Sequence, residues 1–374
     1  MINIEALEEC CGCAACANVC PKQCITMRTD KKGFYYPHVE YRNCIDCDLC
    51  EKVCPFIGVS TPQMPIAVEA VRSISNAVVK ESSSGGVCHE LSSNFIASGG
   101  VVYGAAWSSN LTVSHVRVTD LLELDKIRCS KYLQSQTGDI YRQVKRDLSD
   151  GRDVLFFGTP CQVAGLKGYL RKDYSCLITV DFVCHGVPSQ KVFNRTVAGI
   201  EKRTGGKVHA VNFRSKREGW RGFGTEFYIQ DSDNQFIEHS KSFFSRGFMS
   251  NIYLRDCCHH CPFTGNRNHS DITVADLWGV EYVRPDIDDN TGLNLVLVRT
   301  QRGSSLLKEC SSRLLRYNYD YKDALRYNPA METPPKVHPC SNMYWKYLIH
   351  LPNKAGIFLT LLFGRMLRVL KKRI

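Results

Sequence analysis

The fold is decided by Cys10-Cys11-Gly12-Cys13-Ala14-Ala15-Cys16-Ala17-Asn18-Val19-Cys20-Pro21, a pattern that returns as Cys44-Ile45-Asp46-Cys47-Asp48-Leu49-Cys50-Glu51-Lys52-Val53-Cys54-Pro55. Both runs read C-x2-C-x2-C-x3-C-P. Three thiols spaced in this way can face one side of a compact turn, while the fourth, followed by proline, turns away from it. The two runs therefore indicate that each contributes three thiols to its own site and one to the other.

This spacing is typical of a pair of 4Fe-4S clusters. It assigns one cluster to Cys10, Cys13, Cys16 and Cys54, and the second to Cys44, Cys47, Cys50 and Cys20. Zinc favours paired CxxC knuckles, and disulfides belong to secreted chains. Two complete copies of the run favour clusters over both alternatives.

Composition restricts the class of protein further. A length of 374 residues allows about two or three domains, and the shares of 44% hydrophobic and 23% charged residues are ordinary for a soluble globular chain. The 20 cysteines are not ordinary. Because Met1–Glu5 has no basic start or apolar stretch, we predict no secretory signal and a reducing, cytoplasmic location. The net charge of +11 is compatible with nucleic acid, an anionic substrate or an acidic partner, and selects none of them.

Three segments are predicted: a cluster-binding domain over 1–60, an α/β domain over 66–315, and a carboxyl-terminal extension over 316–374. The proline-punctuated stretch Ser60–Pro65 is the linker between the first two. Within the first segment, Gly33–Pro37 indicates a short hairpin that covers the clusters, and Cys11 and Cys24 are interpreted as packing residues.

Strands and helices alternate after the linker. Ile66–Val71 is predicted as a strand, and Glu81–Gly86 opens a helix with apolar residues at Val87, Leu91 and Phe95. Hairpin strands over Val101–Trp107 and Leu111–Val118 follow, then a short helix from Leu122 and a longer one with Ile140, Val144 and Leu148 on one face. The Ser-Gly-Gly helix start is either a phosphate site or a simple cap, and its local sequence favours the cap.

Three further cysteine loci follow predicted strands or loops. Val154–Phe157 leads into Thr159 and Pro160, an N-cap and first helical residue, so that Cys161 lies where the helix dipole favours a thiolate. Leu177–Val183 is the strand that delivers Cys184. The loop Cys257-Cys258-His259-His260-Cys261 supplies a CxxC pair. A four-thiolate site, scattered buried thiols and zinc bound by cysteine and histidine remain alternatives at this point.

Other segments carry weaker signals. The stretch Phe213–Arg221 mixes basic and aromatic residues, but no nucleic-acid module surrounds it, so a basic loop or a site for an anionic cofactor or substrate is preferred. Asp276 and Trp278 lie at the end of a predicted strand over Asp271–Gly279; a further strand over Leu293–Val298 precedes a polar helix from about Ser304. The end, Ala355 to Arg373, has an uncharged run of about ten residues before Arg365, which is too short to span a bilayer. This end is compatible with a membrane surface, the core or a partner.

Taken together, the motifs resemble the coenzyme F-420 hydrogenase/dehydrogenase beta-subunit family, in its form with an N-terminal double-cluster ferredoxin domain. Besides the two runs, the resemblance rests on Ser83–Gly86, Lys131–Ser135, Gly158–Leu166, Cys184–Ser189 and Cys258-x-x-Cys261, which occur in the family's order. It covers about residues 5 to 315. The later motifs together are more specific than the cysteine runs, which many enzymes share.

The resemblance implies an α+β, mixed α/β fold: a bacterial-ferredoxin-like domain followed by a mixed-sheet catalytic domain that binds FAD and a third 4Fe-4S cluster. Its ligands would be Cys161, Cys184, Cys258 and Cys261, with Cys257 as an alternative to its neighbour. The implied flavin contacts are Ser83, Ser84, Gly85, Gly86, Lys131, Tyr132, Gln134 and Ser135.

The preferred function is an iron–sulfur flavoprotein oxidoreductase. Electrons would pass from a ferredoxin-type donor or reduced deazaflavin through the clusters to FAD and an organic substrate. Relatives of this form are also associated with bacterial surface-polysaccharide synthesis. The alternative is an electron-transfer subunit that links a partner oxidoreductase to a carrier, with no substrate of its own. A third hypothesis is a membrane-attached redox adaptor using the basic tail. No nucleic-acid partner is expected, no catalytic acid is identified, and His185 is interpreted as structural.

Overall fold

The computed structural model describes residues 9–57, 61–230 and 242–371. Met1–Glu5, Ser60 of the predicted linker, and Lys372 and Arg373 of the basic end lie outside these ranges.

The amino-terminal module is built from two similar cysteine turns on either side of a hairpin. The first turn leads into α1 (Ala15–Val19), the hairpin consists of β1 (Ile25–Thr29) and β2 (Tyr35–Val39), and the second turn leads into α2 (Leu49–Lys52). Equivalent positions of the turns share a left-handed backbone: φ is 71° at Gly12 and 49° at Asp46. The predicted hairpin is confirmed, with Thr29 opposite Tyr35.

The remaining strands belong to a large sheet and a separate ribbon. In chain order they are β3 (Ala67–Ser73), β4 (Val101–Trp107), β5 (Val113–Val118), β6 (Ser135–Gln136), β7 (Val154–Phe157), β8 (Leu177–Phe182), β9 (Val208–Ser215), β10 (Gly224–Ile229), β11 (Ile272–Asp276), β12 (Asn294–Val298) and β13 (Leu314–Asn318).

The large sheet is mixed, as the sequence predicts. Its nine strands among the described residues run in the order β13-β3-β12-β11-β8-β7-β4-β5-β6, whereas β9 and β10 pair only with each other. Strands β4, β7, β8 and β11 are parallel, and β12 is antiparallel to both β11 and β3. The carboxyl ends of β3, β4, β7, β8 and β11 therefore meet at one edge, the position at which α/β sheets bind ligands.

Helices cover both faces of this sheet and surround the ribbon. They are α3 (Asn76–Glu81), α4 (Val87–Ala97), α5 (Ile140–Ser149), α6 (Pro160–Leu170), α7 (Gln190–Thr204), α8 (Phe243–Met249), α9 (Val280–Val283), α10 (Gln301–Glu309), α11 (Tyr321–Tyr327), α12 (Ser341–Lys346) and α13 (Asn353–Lys371). The predicted short helix from Leu122 is a 3-10 turn over Leu121–Lys126, and the polar helix begins at Gln301, before the expected Ser304.

Burial explains why the predicted helical faces formed. The apolar residues of α4 pack with those of α10 on one face of the sheet, where Val87 and Leu91 are fully buried. Each such side chain contributes about 1.5–3 kcal/mol by leaving water. The apolar face of α5 packs with α6 on the opposite face, together with Cys13, Ala15 and Val53 of the amino-terminal module.

The module is held against the sheet domain through α5 and α6. Arg142 donates to the carbonyl of Asn18 at 2.8 Å, and the Asn18 amide donates to the carbonyl of Gly138 at 2.7 Å. Two glycines of α6 allow the close approach. An added Cβ at Gly165 would lie 2.8 Å from the Cys13 sulfur, and one at Gly168 would lie 2.6 Å from the Val53 carbonyl oxygen. The module and sheet domain therefore share one packed interface.

The carboxyl-terminal helix α13 packs on α7, α8 and α12, with Ile357 and Thr360 fully buried, and its Gly364 lies against His338. Its other side exposes large apolar side chains, among them Phe358, Leu362 and Met366. Within the part of the chain that the structure describes, no helix is both long and apolar enough to cross a membrane.

Candidate functional site: three cysteine-lined cavities and a cationic loop

The first cavity collects thiols from both cysteine runs. Counted with the open solvent at its mouth, as for the two cavities below, it measures about 870 Å³. It is lined by Cys10, Cys13, Cys16 and Cys54, with Cys11 in its wall. The Gly12 amide points at the Cys10 sulfur over 3.3 Å. Amides directed at ligand sulfurs are a usual means of stabilising a negatively charged cluster.

The second cavity lies on the far side of the module. It measures about 440 Å³ and is lined by Cys20, Cys44, Cys47 and Cys50, with Cys24 as a fifth thiol. The sulfurs of Cys20 and Cys24 are 3.3 Å apart. Cys47 is exposed, so this cavity reaches the protein surface. The structure thus groups Cys20 with the second run and Cys54 with the first, the grouping on which the predicted ligand sets depend.

The third cavity lies at the edge of the large sheet. It measures about 740 Å³ and is lined by Cys161 after β7, Cys184 after β8, and Cys257, Cys258 and Cys261 from the 3-10 turn Asp256–His260 and its cap. Cys11 and Phe56 line both this cavity and the first. The two cavities are therefore separated by little more than these side chains.

Hydrogen bonding distinguishes the two neighbouring thiols of this turn. The Val187 amide points at the Cys258 sulfur over 3.4 Å, whereas Cys257 is buried beside Arg255. Gly186, with φ at 121°, lies close to Cys258: an added Cβ would meet the Cβ of Cys258 at 3.2 Å. The loop after Cys184 thus wraps around Cys258.

Cys161 lies in the first turn of α6, as predicted, with its sulfur 3.1 Å from the Thr159 hydroxyl. The expected thiolate is not favoured by this environment. Contact with Cys11 and burial raise the pKa of the Cys161 thiol well above its ordinary value, and burial does the same at Cys184. A bound metal would therefore have to displace these protons, as metal binding to thiols generally does.

Among the described residues, no group of three or more His, Cys, Asp or Glu side chains is arranged to hold a single metal ion. A cubane takes one thiolate at each of four corners, so its ligands surround a volume rather than a point. The three cavities have this open form.

The predicted Ser-Gly-Gly loop lies at the same sheet edge, after β3. Its first helical amide, at Val87, donates to the side chain of Asn294 over 3.4 Å, and the helix begins after Gly86 without a side-chain cap. The simple cap favoured by local sequence is therefore wrong, because β12 supplies the acceptor. The Ser83 hydroxyl accepts from the Ser130 amide at 2.8 Å, which joins this loop to the Lys131 loop.

Cations surround the Ser-Gly-Gly loop. Arg214 donates to the Ser83 carbonyl and pairs with Asp276 at 2.6 Å, and Lys216 donates to the Ser84 carbonyl at 2.7 Å. Burial of Arg214 opposes the charge of its guanidinium, but Tyr132 and Asp276 raise the pKa of Arg214. Among the described residues, Lys131 donates to the carbonyls of Arg128 and Cys129. Burial lowers the pKa of Lys131 to about 8, and burial with Arg214 lowers that of Lys216 to about 8.

Several buried polar atoms here lack a hydrogen-bond partner among the described residues. They are the Ser82 hydroxyl and the Nε atoms of Arg72 and Arg214, whereas the Nε of Arg128 lies 3.4 Å from the Asp125 carboxylate. Buried donors are almost always satisfied in native proteins. Two guanidinium donors and a hydroxyl left over around one loop fit an anionic ligand such as a phosphate, although Arg72 and Arg214 also pair with Asp289 and Asp276.

Two predicted flavin contacts lie elsewhere. The Gln134 amide donates to the carbonyls of Cys11 and Gly12, at 3.3 and 3.4 Å, and its oxygen accepts from Arg255. The Ser135 hydroxyl is 2.8 Å from His115 Nδ1, and burial lowers the pKa of His115 to about 4. Gln134 therefore lies against the first cysteine turn and Ser135 beside His115, and the role of both residues at a flavin stays a prediction.

Sequence reasoning missed the burial of two arginines. Arg214 falls in the stretch predicted as a basic loop or a site for an anionic cofactor or substrate, and it is buried in β9 with its Cζ 4.0 Å from the Phe223 ring centroid. Arg255 shows no local signal in the sequence. The Asp276–Trp278 turn is found at a strand end, as expected, and Asp276 accepts from both Arg214 and Trp220. His185 bonds Asn251 at 2.8 Å, which agrees with its structural interpretation.

Comparison with known proteins identifies the two parts of the chain. Residues 9–57 match the 4Fe-4S dicluster domain, so the chain is an iron–sulfur electron-transfer protein of the oxidoreductase type. Residues 151–316 match the C-terminal region of the coenzyme F420 hydrogenase/dehydrogenase beta subunit. The chain thus combines a dicluster domain at its amino end with a region similar to the C-terminal part of that beta subunit, as the resemblance predicts.

Relatives match over short stretches. An uncharacterised ferredoxin of Methanocaldococcus jannaschii is 43% identical over 49 residues, 13% of this chain and 61% of that protein. The trichloroethene reductive dehalogenase of Dehalococcoides mccartyi is 36% identical over 68 residues, 16% of this chain and 12% of that enzyme. An uncharacterised protein of Porphyra purpurea is 40% identical over 62 residues, 16% of this chain and 80% of that protein.

Among solved structures, a chain of the F420-reducing [NiFe] hydrogenase complex from Methanosarcina barkeri aligns with a TM-score of 0.49 and 16% identity, covering 73% of this chain and 93% of that one.

Proposed function

We propose that this chain is an iron–sulfur flavoprotein oxidoreductase. It takes single electrons from a ferredoxin-type donor or reduced deazaflavin and delivers them through three 4Fe-4S clusters to FAD and an organic substrate. The adjacency of the cavities carries the proposal. Cys47 is exposed at the second cavity, the first cavity belongs to the same module, and Cys11 and Phe56 line both the first and the third.

A third cluster is supported by the number and origin of the thiols. Cys161, Cys184, Cys258 and Cys261 come from two strand ends and one loop and line one cavity. We take Cys258 rather than Cys257 as the ligand, because the Val187 amide is directed at its sulfur. An amide of this kind stabilises a thiolate bound to iron.

FAD is supported by the cationic loop. Lys131, Arg214 and Lys216 would hold the diphosphate, while Ser83, Ser84, Gly85 and Gly86 bring the backbone close to it. FAD supplies the exchange between one-electron carriers and two-electron organic chemistry. The residues of this chain bind and orient the anion. Tyr132 and Asp276 contact Arg214 and thereby fix the direction of its guanidinium.

Anaerobic reconstitution tests this proposal. We expect about twelve irons and one flavin per chain. Cys184→Ser should lower the iron content to about eight without loss of the dicluster signal in electron paramagnetic resonance. Cys176→Ser is the matched control, because Cys176 is half-buried and lines none of the three cavities. About eight irons in the wild-type chain would contradict the third cluster.

The second candidate is an electron-transfer subunit, which the family description favours because it names a subunit. Such a chain would bind a partner oxidoreductase and hold no substrate. Flavin reoxidation by substrate in the isolated chain supports the enzyme, and turnover only after addition of a partner supports the subunit. The setting in surface-polysaccharide synthesis stays a prediction from the resemblance.

We also propose that α13 rests on an anionic membrane surface. Phe358, Leu362 and Met366 are exposed on the side away from the core, and Arg365 and Arg368 lie beside them. The segment 351–374 contains no acidic residue. An apolar face flanked by basic residues is typical of helices that lie in the headgroup region.

A further inference from the structure

Arg255 is an arginine with no solvent exposure at the junction of the module and the sheet domain. Its guanidinium makes three hydrogen bonds, and all of the acceptors are neutral. Nε donates to the Cys10 carbonyl at 2.6 Å, one Nη to the Gln134 side chain at 2.9 Å and the other to the Tyr35 carbonyl at 2.8 Å. The Tyr36 ring centroid is 4.1 Å from its Cζ.

Within the described residues, no ion pair includes Arg255. The carboxylate that follows it in the chain, Asp256, pairs with Lys32 at 2.7 Å. Other buried arginines here are compensated: Arg214 has Asp276, and Arg72 has Asp289. A charge taken out of water without a counter-charge is strongly unfavourable, and hydrogen bonds to carbonyls offset only part of this cost.

The position of Arg255 shows where a counter-charge can reach it. Arg255 lines the third cavity beside Cys257 and Cys258. Its Nε holds the carbonyl of Cys10, whose side chain lines the first cavity. The guanidinium therefore borders the third cavity and contacts a wall residue of the first.

We propose that Arg255 is the shared counter-charge of the clusters in the first and third cavities, and that it sets their reduction potentials. The inference rests on the proposed function. A cubane with four thiolates is an anion that takes one further negative charge when the donor passes it an electron. The guanidinium keeps its proton throughout, so its attraction for the cluster grows on reduction.

Arg255 is thus a positioning and tuning residue. It favours the reduced form of both clusters and holds the Cys10 turn in place through the same group. Two neighbouring carriers that share one cation also influence each other, because an electron on one weakens the attraction available to the other.

The test is a potentiometric titration of the whole reconstituted chain, followed by electron paramagnetic resonance. Arg255→Gln removes the charge and keeps hydrogen-bond donors; Arg255→Lys keeps the charge and loses donors. We expect Arg255→Gln to disfavour reduction of both clusters about tenfold, a fall of about 59 mV for one electron, and Arg255→Lys to stay within about threefold of wild type. Arg316→Gln, at a half-buried ion pair with Glu69 on the edge strand β13, is the control.

Gln134→Glu gives a second measurement if Arg255→Gln does not hold iron. It places a carboxylate against the same guanidinium, so the potentials should fall while the arginine stays in place. Unchanged potentials in the neutralising variants, or an equal fall in Arg255→Lys, would overturn the proposal. The iron content tests the proposed third cluster separately from the role of Arg255. A chain with about eight irons would lack that cluster, but the potential of the Cys10 cluster could still be measured in it.

Discussion

Gly168→Ala tests the contact that joins the cluster module to the sheet domain. Gly168 lies inside α6, where alanine is the better helix former by about 0.5–1 kcal/mol. The new Cβ would lie 2.6 Å from the carbonyl oxygen of Val53, which precedes the predicted ligand Cys54. A backbone carbonyl cannot rotate away as a side chain can, so the module has to move.

The magnitude follows from a matched pair. Gly199 lies inside α7, and an added Cβ there would meet nothing within 4 Å. Gly199→Ala should therefore raise the free energy of unfolding by about 0.5–1 kcal/mol. Gly168→Ala has the same gain in propensity but an overpacking cost of about 1–3 kcal/mol, and so should be less stable than Gly199→Ala by that amount.

Urea titration of the loaded chain under anaerobic conditions, followed by far-ultraviolet circular dichroism, measures the difference. Effects on the unfolded chain cancel between the two variants, because the substitution is identical. Gly165→Ala would place its Cβ against the Cys13 sulfur. This variant should in addition change the electron paramagnetic resonance signal of the first cluster. Equal midpoints for Gly168→Ala and Gly199→Ala would refute the close packing of the module on α6.

Two further outcomes are expected. Burial lowers the pKa of both Lys131 and Lys216 to about 8, so each ammonium is charged below that pH and neutral above it. Pyrophosphate binding, measured by calorimetry, should therefore weaken about tenfold or more as pH rises through 8. Lys131→Arg, which stays charged, should reduce this dependence to the part that Lys216 contributes, and a pH-independent affinity in the wild type would contradict the prediction. The double variant Phe358→Ser and Leu362→Ser should lower the fraction of protein that floats with anionic vesicles roughly tenfold. Leu315→Ser, an exposed apolar control on β13, should not lower it. Equal flotation of the two variants would contradict membrane binding through α13.

Local sequence patterns predicted most of the helices and strands, because which side of these elements is buried depends on residues close together in the chain. The α4 face, the β4–β5 hairpin and the Thr159–Pro160 helix start all depend on residues within a few positions of each other, and the structure contains them. The short strand β6 was missed, since two residues show no periodicity. Leu111, predicted as a strand start, instead occupies the turn with φ at 56°.

The sequence by itself determined the dicluster module, because cluster binding requires a cysteine spacing that can be recognised in the sequence. Only the tertiary structure brought Cys11 between two cavities, directed Gln134 at the cysteine turn and buried Arg255 against Cys10, a contact across 245 positions. The tertiary structure also shows why Gly168, a poor helix former inside α6, contributes to the interface with the module. Such contacts depend on how the sheet and module pack, and packing joins residues that share no local pattern.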